Sequence, residues 1–275
     1  MTLTMAKWSP MDRSVNTPTQ LLHALRSNNP TSPRLTWYGP DSERVEFSGR
    51  VLENWVAKTA NYLVDELDAE PGTVIALDLP LHWRSVVWML ATWAVGATAV
   101  TADAAGLDFS STDASIIATA SPAAVHSQLP GAKGDPLVVA VALPALQMRW
   151  MGELPPRTLD YSGDVRSHAD VFFADAEADD SDIAWRHVGI ASAEVNSAQE
   201  ISYAALLAGG EELLSIPVTA LPAEPQRVLL QVKDGWAGVV RDALNIWAAG
   251  GSVVLLGDGV AVSDTVRGSE NITLG

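Results

Sequence analysis

The stretch SDIAWRHVGIASAEVNSAQEISYAALLAGG, residues 181–210, governs how the whole chain is read. Ile183 to Ile190 is apolar and β-prone, a short polar turn follows, and Glu200 to Leu207 has the composition of a helix. The order predicts strand, turn, helix. In α/β proteins that layout holds phosphate, because backbone N–H groups of the turn and of the first helical turn converge on the anion. Yet this turn contains neither paired glycines nor a lysine. It is a working phosphate site, the remains of one, or a plain connection.

Working outward, helix-period and strand-period segments alternate along the chain. Downstream come a strand, RVLLQV (227–232), a helix, WAGVVRDALNIWAAG (236–250), and a strand, GSVVLLGD (251–258). Upstream, RLTWYG (34–39) and RVEFSG (44–49) flank PDSE as a hairpin. Ser48 is placed to cap a helix to about Asp68, with Leu52, Trp55, Val56, Thr59, Leu63 and Leu67 on one face. Pro71-Gly72 then turns into the strand TVIALDLP (73–80), followed by the helix LHWRSVVWMLATWAVG (81–96), closed by Gly96, and the strand ATAVTA (97–102). ASIIATA and PLVVAVAL predict further strands, SPAAVHSQL a short helix, and ADVFFADA (169–176) one more strand; Pro144 to Asp170 reads as a crossing loop.

Strands alternating with helices imply mainly parallel sheets layered with helices, an α/β fold. We expect a polar lead-in over 1–34 and one α/β unit over 35–275, with room for two subdomains, 35–143 and 168–260, joined by 144–167. LATWAVGATAV (90–100) and LNIWAAGGSVV (244–254) match in Leu, Trp, Ala, Gly and Val. This is either an internal duplication or the common form of a buried helix closed by glycine before a buried strand.

Composition narrows the partners. Of the 275 residues, 48% are hydrophobic and 33 are acidic against 17 basic, giving a net charge of −16. A field of that sign repels nucleic acid and anionic lipid, so neither is expected as a partner. The chain has no cysteine, which removes disulfides, thiolate metal sites and a cysteine nucleophile. The longest apolar run, Val86 to Val100, is broken by Gly96 and reads as buried helix and strand; with no signal-peptide pattern at the start, a cytoplasmic protein is expected. The five histidines show no metal-ligand spacing. FADAEADDSD (173–182) places carboxylates at 175, 177 and 179 but lacks the glycine and glutamate of a calcium loop, and reads as a solvated acidic linker.

Enough residues now stand together for a family resemblance. Phe47 and Leu52, then Pro71-Gly72 with VIALDLP, then Ala91, Trp93, Ala94, Gly96 and Ala97 resemble the opening of adenylate-forming enzymes, the acyl-CoA synthetase or AMP-binding superfamily. Asp182 to Trp185 resembles the strand before that family's phosphate loop, and 227–256 resembles the segment beyond it. The likeness covers nearly the whole chain but about the first half of a full-length member. It implies a fold like the N-terminal half of acetyl-CoA synthetase, with ATP or AMP and coenzyme A as the family's ligands.

The departures are as informative as the matches. The family's loop is rich in Ser, Thr and Gly and ends in Pro-Lys-Gly; here it falls on GIASAEVNSA (189–198), which has no lysine and carries Glu194. The resemblance places phosphate contacts at Gly189 and Ser192 and an acyl-pocket wall at Trp236 and Gly238. No catalytic residue and no metal ligand is expected. The family's adenine, magnesium and ribose motifs and its lid lysine have no counterpart in the matched region. Three readings follow: an inactive binding or regulatory module for a small acyl or nucleotide ligand, an interaction scaffold or homodimer, and an adenylate-forming activity completed by another chain.

Overall fold

The first helix begins inside the expected lead-in. In the computed structural model, which describes residues 15–103, 106–188, 198–207, 225–261 and 263–275, the Thr17 side chain accepts a hydrogen bond from the Gln20 N–H. Pro18 pre-sets the first turn of α1 (Pro18–Asn28). Leu21, Leu22 and Leu25 are buried, so this segment contributes to the core.

The hairpin forms as its sequence predicts. β1 (Pro33–Tyr38) pairs antiparallel with β2 (Arg44–Ser48), and Ser48 caps α2 (Gly49–Leu67) by accepting from the Val51 N–H. Next come β3 (Val74–Asp78), α3 (Trp83–Val95), β4 (Thr98–Ala102), β5 (Ile116–Thr119), α4 (Pro122–Gln128) and β6 (Leu137–Ala140). The expected crossing loop contains short structure of its own, β7 (Thr158–Asp160) and α5 (Tyr161–Asp164). The expected strand at 169–176 is absent: these residues lie in open chain, with Phe173 84% exposed.

β8 (Ile183–Val188) follows, and here the structure corrects the reading of the opening stretch. Ala198–Ser202 is a strand, β9, antiparallel to β8, and α6 (Tyr203–Leu207) starts three residues later than Glu200. Glu200, Ile201 and Ser202 alternate exposed, buried, half-buried, and Ile201 registers with Trp185. A period of two won over local helix propensity because a paired edge buries Ile201. The expected helix N-terminus at Glu200, which would have faced a phosphate, is therefore not formed. The chain closes with β10 (Arg227–Gln231), α7 (Gly235–Ala248), β11 (Ser252–Leu256) and α8 (Asp264–Ser269).

Two sheets result. The larger has the order β7-β6-β5-β3-β4-β8-β9 and is parallel except for β9; the smaller has the order β10-β11-β1-β2 and is parallel except for β2. The sheets exchange partners across the chain. β1 and β2 join β10 and β11, while β8 and β9 join β3 to β7, so sheet membership does not divide at 144–167. Between them lies α3, which touches β1 of one sheet and β3 and β4 of the other and buries every residue except Ala94. One apolar cluster runs from Leu21 through both sheets to Leu255.

The two similar sequence stretches are also similar in space. Trp93 Nε1 donates to the Ala184 carbonyl and Trp247 Nε1 to the Arg34 carbonyl, each 2.8 Å and each on the strand parallel to the one that follows the helix. The Ala97 N–H donates to Thr92 O and the Gly251 N–H to Ile246 O, the same turn at the same offset. The two stretches therefore share an indole contact as well as a turn.

Candidate ligand cleft

Asp78 and Asp103 are each the first carboxylate after a run of apolar parallel strand, and the fold brings those strand ends together. β3, β4 and β5 end at the rim of a cleft of about 400 Å³, completed by Val232, just after β10, and by Gly235 and Trp236 of the first turn of α7. Ligands of open α/β sheets bind beyond the carboxyl ends of the strands for the same geometric reason: the connecting loops diverge there. The volume is at the lower end of the range for small-molecule sites.

Asp103 is the residue that holds the cleft closed on one side. Its Oδ1 accepts from the backbone N–H of Trp236 at 3.2 Å, in the first turn of α7. It is thus a cap supplied by the opposite sheet, and its negative charge complements the positive end of the helix. Gly235 makes this approach possible. Its φ of +74° suits glycine, and a Cβ there would stand 3.0 Å from Asp103 Oδ1.

Behind Asp103 runs a buried polar chain. Trp185 Nε1 donates to Thr101 Oγ1 at 2.8 Å, Thr101 Oγ1 lies 2.9 Å from His187 Nδ1, and His187 Nε2 lies 3.3 Å from Asp103 Oδ2. Both ring nitrogens of His187 are thus engaged, one by Thr101, whose Oγ1 also accepts the indole N–H, and the other by Asp103. His187 therefore orients Asp103. On the other wall, Asp78 Oδ2 accepts from Thr119 Oγ1 at 2.7 Å.

Of the residues expected from sequence, Trp236 lies in the cleft wall, 3% exposed. Gly238, two residues past Trp236, is not among the residues that line the cleft, and a Cβ there would meet only Asp234 Cβ at 3.7 Å. Gly189 and Ser192 lie outside the described residues. Sequence reading missed Asp78, Asp103, Thr101 and His187. The available signal was positional: TVIALD and ATAVTAD each run apolar strand into carboxylate. Among the described residues, no group of three His, Cys, Asp or Glu side chains is placed to hold a metal ion, and no helix is long and apolar enough to cross a membrane.

Comparison with known proteins agrees with this architecture. No family model matches the chain. A Mycobacterium tuberculosis protein described as a TIGR03089 family protein is 34% identical over 166 residues, 57% of this chain and 63% of that protein. The fold is that of acyl-CoA synthetase N-terminal regions. It superposes on the Brucella canis acyl-CoA synthetase with a TM-score of 0.73 at 19% identity, over 94% of this chain and 46% of that one. Acetoacetyl-CoA synthetase from Streptomyces lividans gives 0.71 at 17%, over 94% and 42%. The anthranilate CoA ligase AuaEII, solved in complex with anthranoyl-AMP, gives 0.64 at 16%, over 87% and 43%. The chain thus spans less than half of each of these three enzymes and 63% of the curated relative.

Proposed function

We propose that this chain is a binding module on the adenylate-forming synthetase fold. In this reading it holds the uncharged acyl or aryl part of a small molecule against Trp236 and does not adenylate by itself. The observation that carries the reading is the charge of the cleft: an apolar wall with Asp78 and Asp103 at its rim. A phosphate entering there would meet two carboxylates, and Asp103 already occupies the α7 N-terminus where an anion would otherwise be drawn. From His187 to Gln226 the chain has no Lys or Arg, so the segment that resembles a phosphate loop brings no cation to a triphosphate.

The test is a thermal-shift titration of the purified chain with an acyl-adenylate analogue, the matching free fatty acid, AMP, Mg·ATP and coenzyme A. A ligand that binds only the folded state raises stability by about 2.7 kcal/mol at one hundred times its dissociation constant. The expected result is a shift with the acyl-bearing compounds, lost in Trp236→Ala, and none with Mg·ATP. ATP-dependent conversion of the fatty acid by the chain alone would overturn the reading.

A second reading, an interaction scaffold or homodimer, draws on the segment after β6. There Leu146, Met148 and Met151 are 93%, 59% and 68% exposed, more apolar surface than one loop ordinarily shows. Sedimentation of the same ligand-free sample separates the two, since a scaffold of this kind associates without any small molecule.

A further inference from the structure

A second cleft, of about 410 Å³, opens at the other end of β10, where the amino ends of β10, β11 and β1 meet. Arg34 is in its wall and is 6% exposed. Its Nη1 donates to the carbonyls of Gly250 (2.5 Å) and Gly251 (3.1 Å), just past the end of α7. That contact suits a cation at a helix C-terminus. It leaves Nε unexplained, because Nε is buried with no hydrogen-bond partner among the described residues.

The charges around it are unequal. Arg34, Arg44 and Arg227 line the cleft with Glu46 and Glu270. Both carboxylates are already taken by the other two arginines: Glu270 by Arg44 and Arg227, and Glu46 by Arg44 at 2.7 Å and Arg227 at 3.6 Å. Among the described residues no carboxylate pairs with Arg34. Burial pulls its guanidinium pKa below the usual arginine value, the mark of a charge lacking a counterion. Arg227 Nε is likewise buried and unpartnered, although its two terminal nitrogens are satisfied by Ser252, Thr36 and Glu270. A buried charge without a counterion is costly, and an anion held in the cleft beside Arg34 offsets that cost.

We propose that this cleft binds a single oxyanion, the phosphate or carboxylate group of a small molecule, as the counterion that the Arg34 guanidinium lacks. One anionic group fits where several do not, because a second negative charge would face Glu46 or Glu270. The site is separate from the cleft at Trp236, since the two lie at opposite ends of β10.

The test is calorimetric titration of the full chain with inorganic phosphate and, separately, with acetate, at matched ionic strength. We expect saturable binding of at least one, with the two arms telling phosphate from carboxylate recognition. Arg34→Met weakens that binding by at least about tenfold, as loss of a charge-assisted contact does. Trp236→Ala leaves it within about twofold, consistent with sites that share no partner. Arg34 also clamps the end of α7, so a second variant guards against misfolding: Asn271→Asp adds a carboxylate at the cleft. Asn271 is exposed at φ 50°, a conformation that aspartate tolerates. It too is expected to weaken binding. No saturable heat with either probe, or equal affinity in the parent and both folded variants, would overturn the proposal; should Arg34→Met not fold, Asn271→Asp alone decides.

Discussion

At the scale of single residues, His82 is the clearest case of a side chain whose role depends on its protonation state. Its Nδ1 accepts from the Arg84 N–H at 3.1 Å and caps α3, which requires the neutral ring. Burial, and then the nearby Arg84 charge, pushes its pKa down to about 3. In the unfolded chain His82 titrates near its ordinary 6.5. Between those values the unfolded state binds a proton that the folded state does not, so stability falls as pH falls from 6.5 toward 3. The slope contributed approaches about 1.4 kcal/mol per pH unit. His82→Asn keeps a capping acceptor and removes the titration. Urea melts from pH 7 to pH 4 are expected to show the variant and the parent converging as pH drops; parallel profiles would refute this account.

At the scale of elements, α7 carries two glycines that the sequence cannot tell apart. Gly235 is at φ +74° with Asp103 Oδ1 where a Cβ would press, whereas Gly238 is the fourth residue of the helix, where a Cβ would make only an ordinary 3.7 Å contact with Asp234 Cβ. Gly235→Ala is expected to destabilise by about 1–3 kcal/mol through strain and by dislodging Asp103 from the helix N-terminus. Gly238→Ala is expected to stabilise by about 0.5–1 kcal/mol, by removing unfolded-state freedom from a helix interior. Thermal melts of the pair check both signs. The same scale shows where local reading fails. Glu200 to Ser202 has helical composition but becomes β9, because pairing with β8 buries Ile201. ADVFFADA looks like a strand yet gains no strand partner and stays in open chain.

For the whole molecule, the charged network beside the second cleft ties distant parts of the chain together. Glu270 follows α8 and receives Tyr38 and Arg44 from the hairpin and Arg227 from β10. Burial alone would raise its carboxyl, but the hydrogen bonds from Arg44, Tyr38 and Arg227 outweigh it and hold the pKa down at about 2. The sign is opposite in cause to that of His82 but alike in direction: the contribution is complete above the unfolded value of 4.5 and is lost as pH falls from 4.5 toward 2. Glu270→Gln is expected to cost about 2–3 kcal/mol at neutral pH and little near pH 2.5. Denaturant titrations at those two pH values measure it; an equal loss at both would mean that packing, not charge, is what the residue supplies.

What the sequence determined by itself was local and periodic. Ser48 as a cap, Gly96 as a helix stop, the hairpin at residues 34–49 and the apolar β3, β4, β10 and β11 were all legible, because each depends on a few neighbouring residues and on a period of 2 or 3.6. Trp236, singled out in the sequence, lies in the wall of the first cleft. Only the tertiary structure decided which strands share a sheet, and with that which carboxylates meet. Asp103 reaches α7 133 positions away, His187 reaches Asp103 across 84, and Arg34 lies against Gly250 across 216. Such contacts leave no periodic trace, since they depend on how two sheets exchange partners. Both clefts are built from contacts of this kind, at opposite ends of β10.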